Sequence, residues 1–202
     1  MTKLRTMETK TVILCDDHNI VRAGLRQIVE SFGDFEVLDD VASGEALFPL
    51  FQKQVPDLLL LDISLPGRSG LEVLKQIQSI YPQVAVLTLS MYPEEQFAIR
   101  MIKAGARGYL HKDSAPQVLE DAMRTIAEGK QFISADLTRI MIEELAKDDN
   151  ELPHKGLSDR EYEVLLYIGE GKSMTDIANQ LNLSIKTVST YRSRILDKMR
   201  LK

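Results

Sequence analysis

Five polar side chains directly follow short apolar segments that have the pattern of buried strands. The segments lie at 11–15, 58–61, 84–89 and 108–111, and the side chains that follow them are Asp16, Asp17, Asp62, Ser90 and Lys112. In an open parallel sheet, ligands bind beyond the carboxyl ends of the strands. We therefore expect three carboxylates, one hydroxyl and one amine to meet at a single site.

This set of groups predicts phosphoryl chemistry. Three neighbouring carboxylates repel one another unless a cation neutralises them, and oxygen ligands without Cys or His favour Mg²⁺. The chain has neither a Gly-x-x-x-x-Gly-Lys-Ser/Thr loop nor a Gly-x-Gly-x-x-Gly segment that would cradle a nucleotide. We therefore expect the phosphoryl group on the protein itself, as an aspartyl-phosphate whose charge Mg²⁺ and an ammonium stabilise.

The first two-thirds of the chain alternates between two hydrophobic periods. Strand patterns occur at 11–15, 35–38, 58–61, 84–89 and 108–111, and helical patterns at 20–29, 44–51, 71–80, 97–104 and 118–127. Continuous apolar strands that alternate with helices predict an α/β fold with a doubly wound, five-stranded parallel sheet. About 120 residues is an ordinary size for such a domain.

The last third carries only helical patterns. An amphipathic helix is predicted at 136–146, and a polar stretch with Pro and Gly at 147–156 has the composition of a linker. Ser158 and Glu161 form a capping-box pattern at the start of the next helix. A helix at 174–181, a tight turn and a longer helix at 185–199 complete a helix-turn-helix pattern in a small all-α domain.

The longest of these helices has one apolar and one polar face. Small hydroxyls and cations on the polar face suit insertion into the major groove of DNA. We expect the first half of the helix to reach base edges, through Lys186, Ser189, Thr190 and Ser193. We expect phosphate contacts from Arg192, Arg194, Lys198 and Arg200. A solvated amphipathic helix without a DNA role stays open for any one of these residues.

Charge and composition fit two domains with different partners. The 202 residues have a formal net charge of −5, yet residues 153–202 hold nine Lys and Arg against six Asp and Glu. One Cys excludes a disulfide framework and a Cys-based zinc site, and three scattered His residues disfavour a His-rich metal site. Since no apolar run is long enough to span a bilayer and the start is polar, we expect a cytoplasmic protein without membrane contact.

These motifs resemble those of two known kinds of domain. Residues 11–130 resemble the receiver domain of two-component response regulators through LCDD at 14–17, LLLLDISLPGRSG at 58–70, LTLS at 87–90 and KAGARGYLHK at 103–112. Residues 157–202 resemble the LuxR-type helix-turn-helix of NarL/FixJ response regulators through LSDRE at 157–161, GEGKSMTDIANQL at 169–181 and LSIKTVSTYRSRILDKM at 183–199. Together the two stretches cover nearly the whole chain in the family's own order.

The resemblance implies a flavodoxin-like receiver fold and a role for each residue of the site. It implies that Asp62 accepts phosphate from a sensor histidine kinase. Asp16, Asp17, Asp62 and the backbone carbonyl of Ser64 would hold Mg²⁺. Ser90 and Lys112 would bind the phosphoryl group, and Tyr109 and Ser90 would form the conformational switch. The output implied is transcription control through double-stranded DNA, with phosphorylation controlling DNA binding and homodimer formation.

The expected organisation has four parts. They are an N-terminal tail at 1–10, a receiver domain at 11–130, a linker with a helix at 131–156 and a DNA-binding domain at 157–202. Family members usually continue into a fourth helix after the position of Lys202, so we expect that helix to be missing here. The protein is expected to be a phosphoacceptor with slow self-dephosphorylation rather than an enzyme.

Three other functions stay open at this point. A metal-dependent phosphatase or phosphotransferase would use similar carboxylates. Such an enzyme would need a second acid two residues after Asp62 as its general acid–base, and the chain has Ser64 at that position, which argues against it. An adaptor that binds proteins would keep the helix-turn-helix without reading DNA. A third variant binds DNA but ignores phosphate.

Overall fold

The computed structural model describes residues 9–145 and 156–201. Residues 1–8 of the predicted tail and 146–155 of the predicted linker therefore lie outside the described residues. The first domain alternates strictly between strands and helices: β1 (Lys10–Cys15), α1 (Asn19–Ser31), β2 (Phe35–Val41), α2 (Gly44–Lys53), β3 (Leu58–Asp62), α3 (Gly70–Ile80), β4 (Ala85–Ser90), α4 (Glu94–Lys103), β5 (Gly108–His111) and α5 (Pro116–Ala127).

The five strands form one parallel sheet in the order β2-β1-β3-β4-β5. The chain moves outward from β1 to β2, then crosses back to β3 and continues to β5. The point at which this order reverses lies between β1 and β3, and a crevice forms there at the carboxyl ends of the strands. The predicted doubly wound, five-stranded α/β fold is therefore confirmed.

Both faces of the sheet are covered, as a parallel sheet requires. Successive side chains of β3 alternate between the two cores: Leu58 and Leu60 pack with α1 and α5, whereas Leu59 and Leu61 pack with α2, α3 and α4. All four leucines are at most 1% exposed. Burial of each contributes about 1.5–3 kcal/mol relative to exposure, which explains why this strand is apolar at every position.

Several elements begin earlier or end later than the apolar pattern predicts. β2 continues to Val41 because it pairs with β1 along its whole length, and an edge strand accommodates polar residues such as Asp39 and Asp40. α4 begins at Glu94 rather than at Phe97, since two acidic residues occupy its first turn. α5 begins at Pro116, which suits the first position of a helix.

The remaining helices are α6 (Ala135–Leu145), α7 (Asp159–Gly169), α8 (Met174–Gln180) and α9 (Ile185–Met199). α6 packs on α4 and buries Leu137 completely, so the linker helix belongs to the receiver. The predicted capping box opens α7: the Ser158 amide donates to the Glu161 carboxylate at 2.8 Å. A left-handed residue, Asn182, makes the turn between α8 and α9. The predicted helix-turn-helix is therefore present.

Candidate functional site

The structure brings the predicted phosphorylation residues to the carboxyl edge of the sheet. Asp16 follows β1, Asp62 ends β3 and Ser90 ends β4, and all three are at most 2% exposed. Lys112 follows β5 and reaches back across the edge. The strands place these groups together because parallel strands all present their carboxyl ends to the same side.

Lys112 joins the two buried acids. Its ammonium lies 2.6 Å from Oδ2 of Asp16 and 2.8 Å from Oδ2 of Asp62. Burial raises the pKa of the Asp62 carboxyl, and Asp16 adds to this effect whereas Lys112 opposes it. Loss of solvation acts to lower the pKa of Lys112, but the two carboxylates outweigh it and raise that pKa overall. The ammonium therefore stays charged between the two carboxylates.

The acids also form a group that fits a divalent cation. One ligand atom from each of Asp16, Asp17, His18 and Asp62 lies within 4.8 Å of the others. Carboxylate oxygens in such a group are the ligands that Mg²⁺ prefers. The donor set therefore fits the magnesium ion that the sequence predicts.

The loop after β3 folds over Asp62. The backbone amide of Ser64 donates to Oδ1 of Asp62 at 3.2 Å, and this bond places the loop beside the carboxylate. Gly70, the first residue of α3, sits so close that a Cβ there would collide with the carbonyl oxygen of Asp62. The small residue therefore lets α3 begin directly against the predicted phosphoacceptor.

The side chains of Ser90 and Tyr109 both form hydrogen bonds with the backbone of Tyr92. The Tyr92 amide donates to Oγ of Ser90 at 2.9 Å, and the Tyr109 hydroxyl donates to the Tyr92 carbonyl at 2.7 Å. Tyr109 is fully buried, and burial raises the pKa of its phenol. Thr88, the other hydroxyl of β4, donates to the Gly108 carbonyl, so Ser90 is the hydroxyl at the edge of the sheet.

Two residues of this edge were not predicted as part of it. His18 caps α1, and its Nδ1 lies 2.7 Å from Oδ1 of Asp17 and 3.3 Å from Oδ1 of Asp16. Arg22 donates to the Asp16 carbonyl at 2.5 Å and pairs with Asp40 at 2.8 Å. The sequence signal that could have identified His18 was its position directly after two acids. Arg22 carries no sequence signal, because its partners come together only in the fold.

The predicted DNA face of α9 is accessible. Its core side buries Val188 and Ile195 against α7 and α8. The predicted DNA residues on its other sides and at its end are exposed: Lys186, Ser189, Thr190, Arg192, Ser193, Arg194 and Arg200. Lys198 is also exposed, but its ammonium pairs with Glu161 of α7 at 2.6 Å. The hydroxyls of Thr190 and Ser193 donate to backbone carbonyls four residues earlier, which leaves their oxygens as acceptors.

Family comparison settles what kind of protein carries these two sites. The family model of the response regulator receiver domain matches residues 12–124, and that of the bacterial regulatory proteins of the luxR family matches residues 155–202. The chain is a NarL/FixJ-type two-component response regulator. This response regulator is a transcription regulator with a receiver domain and a LuxR-type DNA-binding domain.

Curated relatives share nearly its whole length. It is 35% identical over 189 residues to the response regulator UvrY of Escherichia coli (strain K12), which covers 93% of this chain and 87% of that protein. It is 34% identical over 199 residues to the oxygen regulatory protein NreC of Staphylococcus epidermidis (strain ATCC 12228). That alignment covers 95% of this chain and 91% of that protein. The similarity to these relatives therefore extends over both domains of this response regulator.

Solved structures resemble it as well. A Salmonella typhimurium RcsB response regulator has 29% identity and a TM-score of 0.63, covering 97% of this chain and 94% of that chain. An RcsB–DNA complex has 29% identity and a TM-score of 0.62, and the match covers 96% of this chain and 93% of that chain.

Within the part of the chain that the structure describes, no helix has the length and hydropathy needed to cross a bilayer.

Proposed function

We propose that Asp62 accepts a phosphoryl group from a sensor histidine kinase and thereby controls DNA binding by α9. The observation that carries this proposal is the buried Asp62 carboxylate with the Lys112 ammonium at 2.8 Å and Asp16 on the other side of that ammonium. A carboxylate oxygen beside a fixed cation is a competent nucleophile. The family membership supports the same role.

The transfer follows from the positions of the side chains. A carboxylate oxygen of Asp62 attacks the phosphorus of the kinase phosphohistidine, so an O–P bond forms while the N–P bond breaks. The electron pair of the broken bond returns to the imidazole nitrogen, which then takes up a proton. Lys112 pairs with the phosphoryl oxygens, and the Ser90 hydroxyl donates a hydrogen bond to one of them.

Asp16, Asp17, Asp62 and the backbone carbonyl of Ser64 would hold Mg²⁺ in this site. When bound, the ion neutralises charge on the transferring oxygens. Asp16 and Asp17 also keep the site negative enough to require a cation before a dianionic phosphoryl group enters. We propose only slow self-dephosphorylation, since Ser64 in the loop over Asp62 offers no acid–base group to activate water.

Intact mass after exposure to acetyl phosphate tests the phosphoacceptor. With Mg²⁺ we expect one phosphoryl adduct on the wild-type chain and none on Asp62→Asn. Asp113→Asn is the matched control, because Asp113 lies next to Lys112 with a side chain 77% exposed and should leave the adduct unchanged. An adduct that persists on folded Asp62→Asn would refute Asp62 as the acceptor.

We further propose that α9 binds double-stranded DNA in the major groove and that phosphorylation favours a homodimer. Lys186, Ser189, Thr190 and Ser193 would face base edges, whereas Arg192 and Arg194 would contact phosphates. For Lys198 a phosphate role competes with its ion pair to Glu161. The exposure of these side chains and the RcsB–DNA complex among the similar structures support the proposal.

Fluorescence anisotropy with a labelled random duplex at several salt concentrations tests DNA binding. We expect affinity that falls steeply as salt rises, since phosphate contacts release counterions. Sedimentation with and without acetyl phosphate tests dimer formation. Salt-independent binding, or none at low salt, would favour a protein-binding adaptor instead. A regulator of this kind acts in the cytoplasm, where kinase and DNA meet.

A further inference from the structure

Arg22 on α1 joins three elements that meet at the end of β1. Its guanidinium donates to the Asp16 carbonyl at 2.5 Å, to the side-chain oxygen of Asn19 at 2.6 Å and to the Asp40 carboxylate at 2.8 Å. Only 13% of the Arg22 side chain is exposed. The donors of a guanidinium have a fixed planar arrangement, so acceptors bound to one such group hold one another in place. Arg22 therefore links the end of β1, the first turn of α1 and the edge strand β2.

An irregularity in β2 provides the acid that anchors Arg22. Val37 and Asp39 pair with successive residues of β1, so one residue of β2 is extra. Such a β-bulge reverses the face of the sheet on which the following side chains lie. Val37 packs in the core shared with α1, and Asp40, three positions later, lies on the same face and pairs with Arg22. In a regular strand a residue three positions later would face the opposite core.

Both backbone groups of Asp16 are held by this arrangement. Its amide donates to the carbonyl of Val41, the last residue of β2, at 3.1 Å. Its carbonyl accepts from Arg22, which Asp40 anchors. Oδ1 of the side chain accepts from the His18 amide at 2.8 Å. The edge strand therefore fixes the position of residues 16–18, which we call the metal loop.

Arg26 offers a close comparison on the same helix. It lies one turn after Arg22 and also pairs with Asp40, at 2.7 Å. Its guanidinium donates in addition to the Val37 carbonyl at 3.0 Å, inside β2. The hydrogen bond from Arg26, aided by that from Arg22, holds the pKa of the Asp40 carboxyl below its ordinary value, although burial acts in the opposite direction. The two arginines share one ionised anchor, but Arg22 reaches the metal loop whereas Arg26 reaches the interior of β2.

We propose that Arg22 is a positioning residue for the magnesium site and that, anchored by Asp40, it holds the metal loop in the geometry that Mg²⁺ requires. This inference rests on the proposed magnesium site of Asp16, Asp17 and Asp62. Mg²⁺ demands nearly ideal octahedral geometry, so a small displacement of the loop weakens binding. Groups that orient metal ligands typically contribute about tenfold or more to metal affinity. Arg22 acts through the Asp16 peptide rather than on the ion or the reacting atoms.

Charge and position predict opposite effects for the loss of Arg22. The guanidinium is a cation beside a site for a divalent cation, so its charge alone repels Mg²⁺. If charge were its whole contribution, a neutral residue at this position would tighten Mg²⁺ binding. If Arg22 holds the metal loop in place, a neutral residue weakens Mg²⁺ binding instead. The sign of the change therefore separates the two roles.

Isothermal titration calorimetry of the full-length chain with Mg²⁺ measures that sign. For Arg22→Gln we expect a dissociation constant about tenfold larger than that of the wild type. The Mg²⁺ concentration that gives half the maximal rate of adduct formation from acetyl phosphate should rise similarly, whereas the rate at saturating Mg²⁺ should stay within about twofold. Arg26→Gln is the matched control, because it removes a pair with the same Asp40 anchor and should leave Mg²⁺ affinity unchanged.

Arg22→Lys keeps the charge and loses the planar fork. An ammonium cannot reproduce the bridge to three acceptors, so this variant should also bind Mg²⁺ more weakly, by about threefold or more. Urea unfolding checks that each variant is folded, and Arg22→Lys decides the question if Arg22→Gln does not fold. The double variant Arg22→Gln/Asp40→Asn should bind Mg²⁺ as Arg22→Gln does, because Asp40 acts through Arg22.

The outcomes separate this inference from the proposed function. Absence of an adduct on the wild-type chain at every Mg²⁺ concentration would refute the proposed function, and absence of Mg²⁺ binding by the wild type would refute both. Unchanged or tighter Mg²⁺ binding by folded Arg22→Gln, on a wild-type background that forms the adduct, would overturn the positioning role alone. An equal loss of Mg²⁺ affinity in Arg26→Gln would overturn it as well.

Discussion

Lys112 and Asp62 lie 50 positions apart in the chain, yet the ammonium of one is 2.8 Å from the carboxylate of the other. The same ammonium is 2.6 Å from Asp16, so one cation pairs with two buried acids. Removal of one member of a buried ion group leaves uncompensated charge. The stability of the receiver and its response to Mg²⁺ should therefore depend on the same side chain.

Lys112→Ala should lower the free energy of unfolding in the absence of Mg²⁺ by about 3 kcal/mol. Added Mg²⁺ should then restore more stability to the variant than it adds to the wild type, because the ion takes over the neutralising role and binds only the folded state. Urea unfolding with and without Mg²⁺ measures both effects. Lys130→Ala, which removes an exposed pair with Glu128, should change stability by less than about 1 kcal/mol. Equal responses of Lys112→Ala and wild type to Mg²⁺ would contradict this account of the site.

Gly70→Ala should destabilise the receiver by about 2 kcal/mol, because the added methyl group meets the Asp62 carbonyl and forces the backbone apart. Gly24→Ala is the control in the same domain. A Cβ at Gly24 meets nothing within 4 Å, and the position is inside α1, so the helix should gain up to about 1 kcal/mol. Thermal unfolding distinguishes the two variants by the sign of the change. Two shifts of the same sign would rule out the close approach of α3 to Asp62.

Glu163 should make the fold less stable as the pH rises from about 5 to 7. Burial raises the pKa of its carboxyl from 4.5 to about 7; Arg160 opposes the rise, whereas Glu72 and Asp159 add to it. Between these two pKa values the folded chain holds a proton that the unfolded chain has lost, so stability falls with rising pH and levels off above 7. The contribution is about 3 kcal/mol at most.

Glu163→Gln keeps an acceptor for Arg160 and removes the titration, so its stability should vary less between pH 5 and 7.5. Urea unfolding of both proteins at the two pH values measures the difference, and the other titrating groups cancel in the comparison. A variant with the full pH dependence of the wild type would show that Glu163 does not titrate in this range.

Arg194→Ala and Ser189→Ala should affect DNA binding in different ways. Loss of the Arg194 cation should weaken binding to every duplex and reduce the slope of affinity against salt by about one. Loss of the Ser189 hydroxyl should leave that slope unchanged and alter only the choice among sequences selected from a random pool. Both side chains are exposed, so thermal stability should stay within about 0.5 kcal/mol. A change in the salt slope for Ser189→Ala would contradict its assignment to base edges.

The sequence alone determined the fold class and the set of charged groups at the carboxyl edge of the sheet. Apolar strands such as 58–61 can only be buried on both faces, and that requirement selects a parallel sheet covered by helices. Once the sheet is parallel, its carboxyl ends fall on one edge, so Asp16, Asp62 and Lys112 had to converge. The capping residues Ser158 and Ser173 likewise mark helix starts through local hydrogen bonds that need no tertiary information.

Only the tertiary structure decided the contacts between residues that share no pattern. The pairing of Arg22 with Asp40, the extension of β2 to Val41 and the closeness of Gly70 to Asp62 depend on how neighbouring elements pack. The docking of α7 on the receiver is a stronger case. The rings of Tyr92 in the receiver and Tyr167 in α7 have centroids 6.1 Å apart, yet each residue has the sequence context of an ordinary half-buried aromatic residue. Side-chain packing between separate domains is specified by surface shape and charge, which a one-dimensional pattern does not encode.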